Sequence, residues 1–261
     1  MQTKGEYEFI PYKFGCYSYS ANADMSAMVK KGLLKADEKS FIKNDTINYL
    51  KQLRPTDLKL LNNVKNTYGN MSANALMRHT YINFPFYATR SEVAPSILNA
   101  TEMETVQNSR PKIDKTILFT IGYEGISLEK YLVRLLKNDV KVLVDVRNNP
   151  MSMKYGFNKT QLMKFCSNLG IEYVHIPEVG IQSDLRQELN VQSDYDNLFN
   201  LYRLNNLTKT GNAQNKILGL LKQHKRIALT CFEANICQCH RKHLAEAIQQ
   251  LPTFTFEVNH I

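Results

Sequence analysis

The chain has 261 residues, 43% of them hydrophobic and 22% charged, with a formal net charge of +9, a composition ordinary for a soluble globular protein of one large or two medium domains. No apolar run approaches the ~20 residues that span a bilayer, and the opening Met1-Gln-Thr-Lys-Gly-Glu has no apolar signal-peptide core, so a cytoplasmic protein is expected, with no membrane partner. The positive excess permits an anionic partner, a phosphate ester, nucleotide or nucleic acid, although it is spread over the chain, +5 over residues 1–112 and +4 over residues 113–261.

In chain order, Tyr7 to Tyr12 reads as a first strand. Asp24 to Lys31 suits a helix with Met25, Met28 and Val29 on one face and Gly32 as its stop. Leu33-Leu34 and Phe41-Ile42 flank polar residues 35–40, the pattern of a hairpin. Pro55 opens a helix with Leu58, Leu61 and Val64 in register, ended by Gly69, and Ser72 caps the next, Ala73 to Thr80. These are the parts of a winged-helix-like domain, mainly helical, over residues 1–100, and also of many small domains that do not bind DNA. Residues 101–114 are polar without a sustained period and read as a linker.

From residue 115 onward strands and helices alternate. Thr116 to Ile121 is an apolar strand, and Ser127 caps a helix with Leu128, Tyr131, Leu132, Leu135 and Leu136 on one stripe. Val140 to Val146 is a near-continuous apolar run, as in a strand covered on both faces. Asn158 with Gln161 resembles a capping box before a helix that stops at Gly170. Strands follow at Ile171–Ile176, Arg226–Cys231 and Thr253–Val258, with helices between them at about 194–222 and 239–251. The pattern predicts an α/β domain over residues 115–261, a mostly parallel five-stranded sheet with helices on both faces.

In such sheets ligands bind beyond the carboxyl ends of the strands, and there the polar residues fall. Gly122, Tyr123, Glu124 and Gly125 follow the first strand, a turn whose backbone N–H groups can approach an anion or cofactor phosphate, or simply a tight turn; it is not a dinucleotide fingerprint, and no cofactor is assigned. Asp145 and Arg147 end the second strand on one face. His175 and Glu178 follow the third, a possible base beside a candidate acid. Cys231, Glu233, Cys239, His240 and Arg241 follow the fourth, and the start of a helix at Cys239 together with Arg241 favours a thiolate there, or a bound phosphate. Cys237, Cys239, His240 and His243 are all zinc-ligand types, but their spacing matches no common zinc pattern and no metal is assigned. Cys231 and Cys237 do not begin the cysteine loop of phosphatases. Cys166, on an apolar helix stripe, and Cys16, in a turn, read as structural.

Ile121-Gly-Tyr-Glu-Gly125, Leu143-Val-Asp-Val-Arg147 with Pro150 and Ser152, His175-Ile-Pro-Glu-Val-Gly180, Cys231-Phe-Glu233 and Cys239-His-Arg241 with Leu244-Ala245 resemble, in this order, the domain of unknown function family 488. The resemblance covers about residues 115–261, and Phe9 to Ser18 with Tyr81 to Phe86 resemble the helical extension of its longer members. It implies an α/β fold and supports these pocket residues, and it implies no reaction. Two classes of function fit: an enzyme acting on a phosphate-bearing nucleotide or nucleic-acid-related substrate, with Arg147 and Arg241 holding the anion, or a nucleic-acid-binding or regulatory protein with a ligand-sensing α/β domain.

Overall fold

A computed structural model describes residues 5–37, 40–111, 115–182, 189 and 191–261, and the chain divides into two units, Met1–Arg110 and Pro111–Ile261. In the first unit, β1 (Ile10–Tyr12) and β2 (Gly15–Tyr17) pair antiparallel. The helix α1 (Tyr19–Lys30) begins five residues before the expected Asp24 because the Ser18 hydroxyl accepts the N–H of Ala21 at 3.2 Å and fixes the start there. The hairpin of β3 (Leu34–Ala36) and β4 (Phe41–Lys43) forms where expected. Pro55 and Ser72 open α2 (Pro55–Tyr68) and α3 (Ala73–Asn83). However, α2 buries no residue: Leu61 and Val64 remain 43% and 59% exposed, so the stripe that reads as core adds nothing to one.

The linker expected at residues 101–114 is largely helix. After the short α4 (Ala94–Ile97), α5 (Ala100–Asn108) starts at a capping box in which Asn99 accepts the N–H of Glu102 and Glu102 accepts the N–H of Asn99. Its Val106 is buried with Tyr81, Ala88, Ala94 and Leu98 in the unit's small core, and this burial holds a segment too polar to read as a helix. Residues 112–114 of that stretch lie outside the described residues.

The second unit is built on β5 (Ile117–Gly122), α6 (Leu128–Lys137), β6 (Val142–Asp145), α7 (Lys159–Asn168), β7 (Glu172–His175), α8 (Gln192–Leu201), α9 (Gly211–His224), β8 (Arg226–Cys231), α10 (His240–Gln249) and β9 (Glu257–His260). The five strands form one sheet in the order β7-β6-β8-β5-β9, every neighbouring pair parallel. Each residue of β5, β6 and β8 is buried, as strands flanked by helices on both faces require. The stripe of α6 is buried at Leu128, Tyr131, Leu132 and Leu135. At α7 Asn158 caps the helix as expected, accepting the N–H of Thr160, but the reciprocal capping box does not form, because the Gln161 amide oxygen accepts the N–H of Gly156 instead.

Register sets the strand ends level. Asp145 lies opposite His175 on one side and Thr230 on the other, and Gly122 lies opposite Cys231. From β6 the chain crosses outward to β7, and from β8 it crosses the opposite way to β9. The carboxyl ends of β6 and β8 therefore flank the crevice where strand order reverses, the position at which open parallel sheets bind ligands. Among the described residues no helix is long and apolar enough to cross a membrane.

Candidate functional site

Two polar clusters stand at this edge. The first is built around Asp145, fully buried at the end of β6. Its carboxylate accepts the Arg147 backbone N–H at 3.1 Å, Arg147 Nε at 2.8 Å, Arg147 Nη2 at 2.5 Å and the Tyr173 hydroxyl at 2.5 Å. Arg147 Nη1 donates to the Tyr123 hydroxyl at 2.8 Å and to the Phe157 carbonyl at 2.9 Å. Burial pulls against the charge of Arg147, but Asp145 outweighs it and holds the guanidinium above its ordinary pKa. Burial and the Asp145 charge push the Tyr173 hydroxyl well up.

Four hydrogen bonds of Arg147 are thus spent inside the protein, out of the five N–H groups a guanidinium carries. The expected anion clamp is instead a brace that locks the loop after β6. His175 joins the same frame: its Nε2 donates to the Arg147 carbonyl at 2.9 Å while its Nδ1 faces Lys159 Nζ at 3.2 Å. Tyr173 and Phe157 are members that sequence reading missed. Tyr173 stands two residues before His175 on the same strand face, so period-two alternation was the available signal.

The Gly122–Gly125 turn does not form the expected anion cradle. The N–H groups of Tyr123 and Glu124 both donate to the Phe232 carbonyl, at 3.1 and 2.9 Å, and the Glu124 carboxylate accepts the N–H of Ala234 at 2.9 Å. The turn is zipped to the loop after β8. Gly122 is glycine because a Cβ there would lie 1.9 Å from the Glu233 carbonyl oxygen.

The second cluster lies in that loop. Cys231 Sγ donates to Glu233 Oε2 at 3.0 Å and lies 3.6 Å from His240 Nδ1, while His240 Nε2 donates to the Val146 carbonyl at 3.1 Å. Cys239, directly before α10, completes the group, and one ligand atom from each of Cys231, Glu233, Cys239 and His240 lies within 4.8 Å of every other. These four could hold a metal ion. The thiolate expected at Cys239 is not favoured: burial above all, then Cys231 and Glu233, push the thiol well up, and the opposing charge of Arg241 is weaker. Arg241 donates to the carbonyls of Glu233 and Ala234, at 2.5 and 3.3 Å, and so orders the loop, while its buried Nε has no hydrogen-bond partner among the described residues.

Three candidates stand elsewhere. Glu178 is exposed and lines a neighbouring cleft of about 840 Å³ with Asn148, Tyr202 and Asn206. Cys237 is exposed. His243 sits between Arg203, at 3.1 Å, and Glu246, at 3.2 Å, its pKa lowered by burial. Cys166 is buried on α7, its thiol pushed up to about 12 by burial, and is structural as expected; Cys16 stands in β2 rather than in a turn.

A cavity of about 300 Å³ opens between the clusters, lined by Arg147, Asn148, Asn149, Ser152, Cys231 and Phe232. Tyr123 also lines it, stacked on Phe157 with centroids 4.2 Å apart. Asn148, Asn149 and Phe232 are exposed at its mouth, and none of the three was singled out from sequence, because a polar loop and one exposed aromatic carry no periodic signal.

No curated protein and no solved structure matches the chain. The family model described as Domain of unknown function DUF488 matches residues 127–248. The match contains both halves of the site, Asp145 to Arg147 and Cys231 to Arg241, and leaves residues 1–126, the Gly-Tyr-Glu-Gly turn included, outside it. Over residues 127–248 the α/β unit is therefore similar to, and consistent with a member of, the DUF488 family.

Proposed function

We propose that the α/β unit is an enzyme acting on a phosphate-bearing nucleotide or nucleic-acid-related substrate at the carboxyl edge of its sheet. The observation that carries this reading is that Cys231, next to Glu233 and His240, stands in the wall of the 300 Å³ cavity at the reversal of strand order. Asn148, Asn149 and Ser152 supply uncharged donors suited to phosphate oxygens, and Phe232 and Tyr123 supply aromatic faces suited to a base. Arg147, held by Asp145, lines the cavity, and the Cys231 cluster is its reactive group. Five cysteines that are all free thiols fit a reducing compartment, the cytoplasm.

Thermal shift against nucleoside mono-, di- and triphosphates and short oligonucleotides tests it. A ligand at one hundred times its Kd adds about 2.7 kcal/mol of stability, a rise of roughly 5–10 °C for a protein of this size. Phe232→Ala and Asn149→Ala should each reduce the rise. No stabilisation by any phosphate compound overturns the reading.

The second reading, nucleic-acid binding through the N-terminal unit, is favoured by one observation. Residues 30–78 carry ten Lys and Arg against four Asp and Glu, and Lys30, Lys31, Lys35, Lys51, Lys59 and Lys65 are all exposed. Binding through them should fall steeply with salt, by about 0.7–0.9 in log–log slope per phosphate contact. A flat salt dependence removes it.

A further inference from the structure

We infer that Cys231, Glu233, Cys239 and His240 bind a thiophilic divalent metal ion of the zinc class. The inference concerns the cluster that the proposed enzyme places beside its cavity, but it rests on the geometry of the four side chains and on no substrate.

Convergence is the first argument. The four residues come from one short stretch, Cys-x-Glu-x₅-Cys-His, that matches no common zinc spacing and so is invisible to pattern reading. Folding closes it because Cys231 ends β8, Cys239 and His240 begin α10, and the loop between turns back on itself. A tetrahedral zinc ion with bonds of about 2.0–2.3 Å holds its ligand atoms about 3.3–3.8 Å apart. The Cys231–His240 separation is already 3.6 Å, the Cys231–Glu233 separation is 3.0 Å, and no pair exceeds 4.8 Å. Side-chain adjustments of about an ångström suffice, with no movement of strand or helix.

The orientation of His240 is the second. A carbonyl oxygen only accepts, so the 3.1 Å contact with Val146 places the ring proton on Nε2 and turns the lone pair of Nδ1 toward Cys231. A metal-bound histidine is held in this manner, its outer nitrogen donating to a backbone carbonyl or carboxylate. Val146 lies between Asp145 and Arg147, so the brace at the end of β6 also fixes the acceptor that orients His240.

Donor type and exposure complete the argument. Two sulfurs, one imidazole and one carboxylate select zinc-class ions over magnesium or calcium, which take oxygen ligands. Cys231, Cys239 and His240 are all 0% exposed, whereas Glu233 is half-buried in the loop. Four protein ligands close the coordination sphere, as in structural zinc sites, with Glu233 the ligand nearest solvent.

The full chain, purified without chelator under reducing conditions, should carry about one zinc per molecule by elemental analysis. Stripped with chelator and titrated with cobalt(II), it should develop the thiolate-to-cobalt charge-transfer band and the visible bands of a tetrahedral ion at one equivalent. Cys239→Ser should lose the charge-transfer intensity and the stoichiometry. Should that buried variant fail to fold, Glu233→Gln, in the loop, keeps the test open: it should weaken cobalt binding at least about tenfold with unchanged circular dichroism. Cys237→Ala, at the exposed neighbouring thiol, should bind as wild type. Substoichiometric zinc together with a cobalt spectrum lacking thiolate character overturns the inference, as does full binding in Glu233→Gln. Metal binding without nucleotide stabilisation leaves this site standing and removes the substrate reading, and nucleotide stabilisation without metal does the reverse.

Discussion

Arg147 grips the carboxylate of Asp145, two residues before it in the chain, through both oxygens, Nε to Oδ1 at 2.8 Å and Nη2 to Oδ2 at 2.5 Å, with Asp145 0% and Arg147 5% exposed. Removing one member of a buried pair leaves an uncompensated charge and costs about 3–5 kcal/mol. Arg147→Met and Asp145→Asn should each destabilise the α/β unit on that scale in urea unfolding. The double variant should lose markedly less than the sum of the two, because the second substitution removes the charge that the first stranded. Additive losses would show that the pair is not coupled and that Arg147 has an independent role at the cavity.

Two glycines should respond oppositely to the same substitution. In Gly122→Ala the new Cβ meets backbone, the Glu233 carbonyl, which cannot swing away as a side-chain end does. The loop after β8 must move, at a cost at or beyond the upper end of about 1–3 kcal/mol. Gly219 lies exposed inside α9 with nothing within 4 Å of an added Cβ. Gly219→Ala should stabilise by about 0.5–1 kcal/mol through helix propensity alone. Chemical denaturation of both variants checks the pair of signs.

The thiols should divide by burial. Cys237 is exposed, whereas Cys231 and Cys239 are both 0% exposed and Cys239 is held well above an ordinary thiol pKa by burial, Cys231 and Glu233. Because the thiolate is the reactive form, native-state alkylation at pH 8 followed by mass spectrometry should modify Cys237 well before Cys239. Equal rates would mean that the loop between β8 and α10 opens freely.

The sheet was legible because its strands are continuous apolar runs and its helices carry caps: Ser127, Asn158 and the β5, β6 and β8 segments stand where the pattern predicts. That Asp145, Cys231, Cys239 and His240 come together at one sheet edge was also legible, since polar residues ending apolar parallel strands meet there, whereas Glu178 lines the neighbouring cleft and Tyr173 and Asn149 were not singled out. The roles of the residues that meet were not legible. A sequence shows that Arg147 and Arg241 are charged, but not that neighbouring carboxylate, hydroxyl and carbonyl oxygens already occupy them. Nor does it show that Cys231 and Glu233, rather than Cys237 and His243, are the partners of Cys239 and His240, because that choice is made by the path of one loop. At α5 the reverse failure occurs: a polar segment is helical through its capping box and one buried valine.

Tyr173 gives the site a pH signature. Its hydroxyl donates to Asp145 at 2.5 Å, and burial together with the Asp145 charge raises its pKa above the ordinary 10.0. A group held protonated in the folded state contributes stability that is fully present below its unfolded pKa and is lost as pH rises toward the folded one. The contribution should therefore be constant through neutral pH and decline above about pH 10. Tyr173→Phe removes a hydrogen bond to a charged acceptor, at about 1.5–3 kcal/mol, and should lower the melting temperature near pH 8. Having no hydroxyl to titrate, the variant should also lose less stability between pH 9 and 11 than wild type, so the two curves converge as pH rises. Tyr131, fully buried with its hydroxyl donating to Thr230 at 2.7 Å, is raised likewise and keeps an alkaline limb in both proteins. Melting curves that stay parallel across that range would mean that Tyr173 ionises in the folded protein as it does in the unfolded chain, and that its bond to Asp145 does not hold the proton.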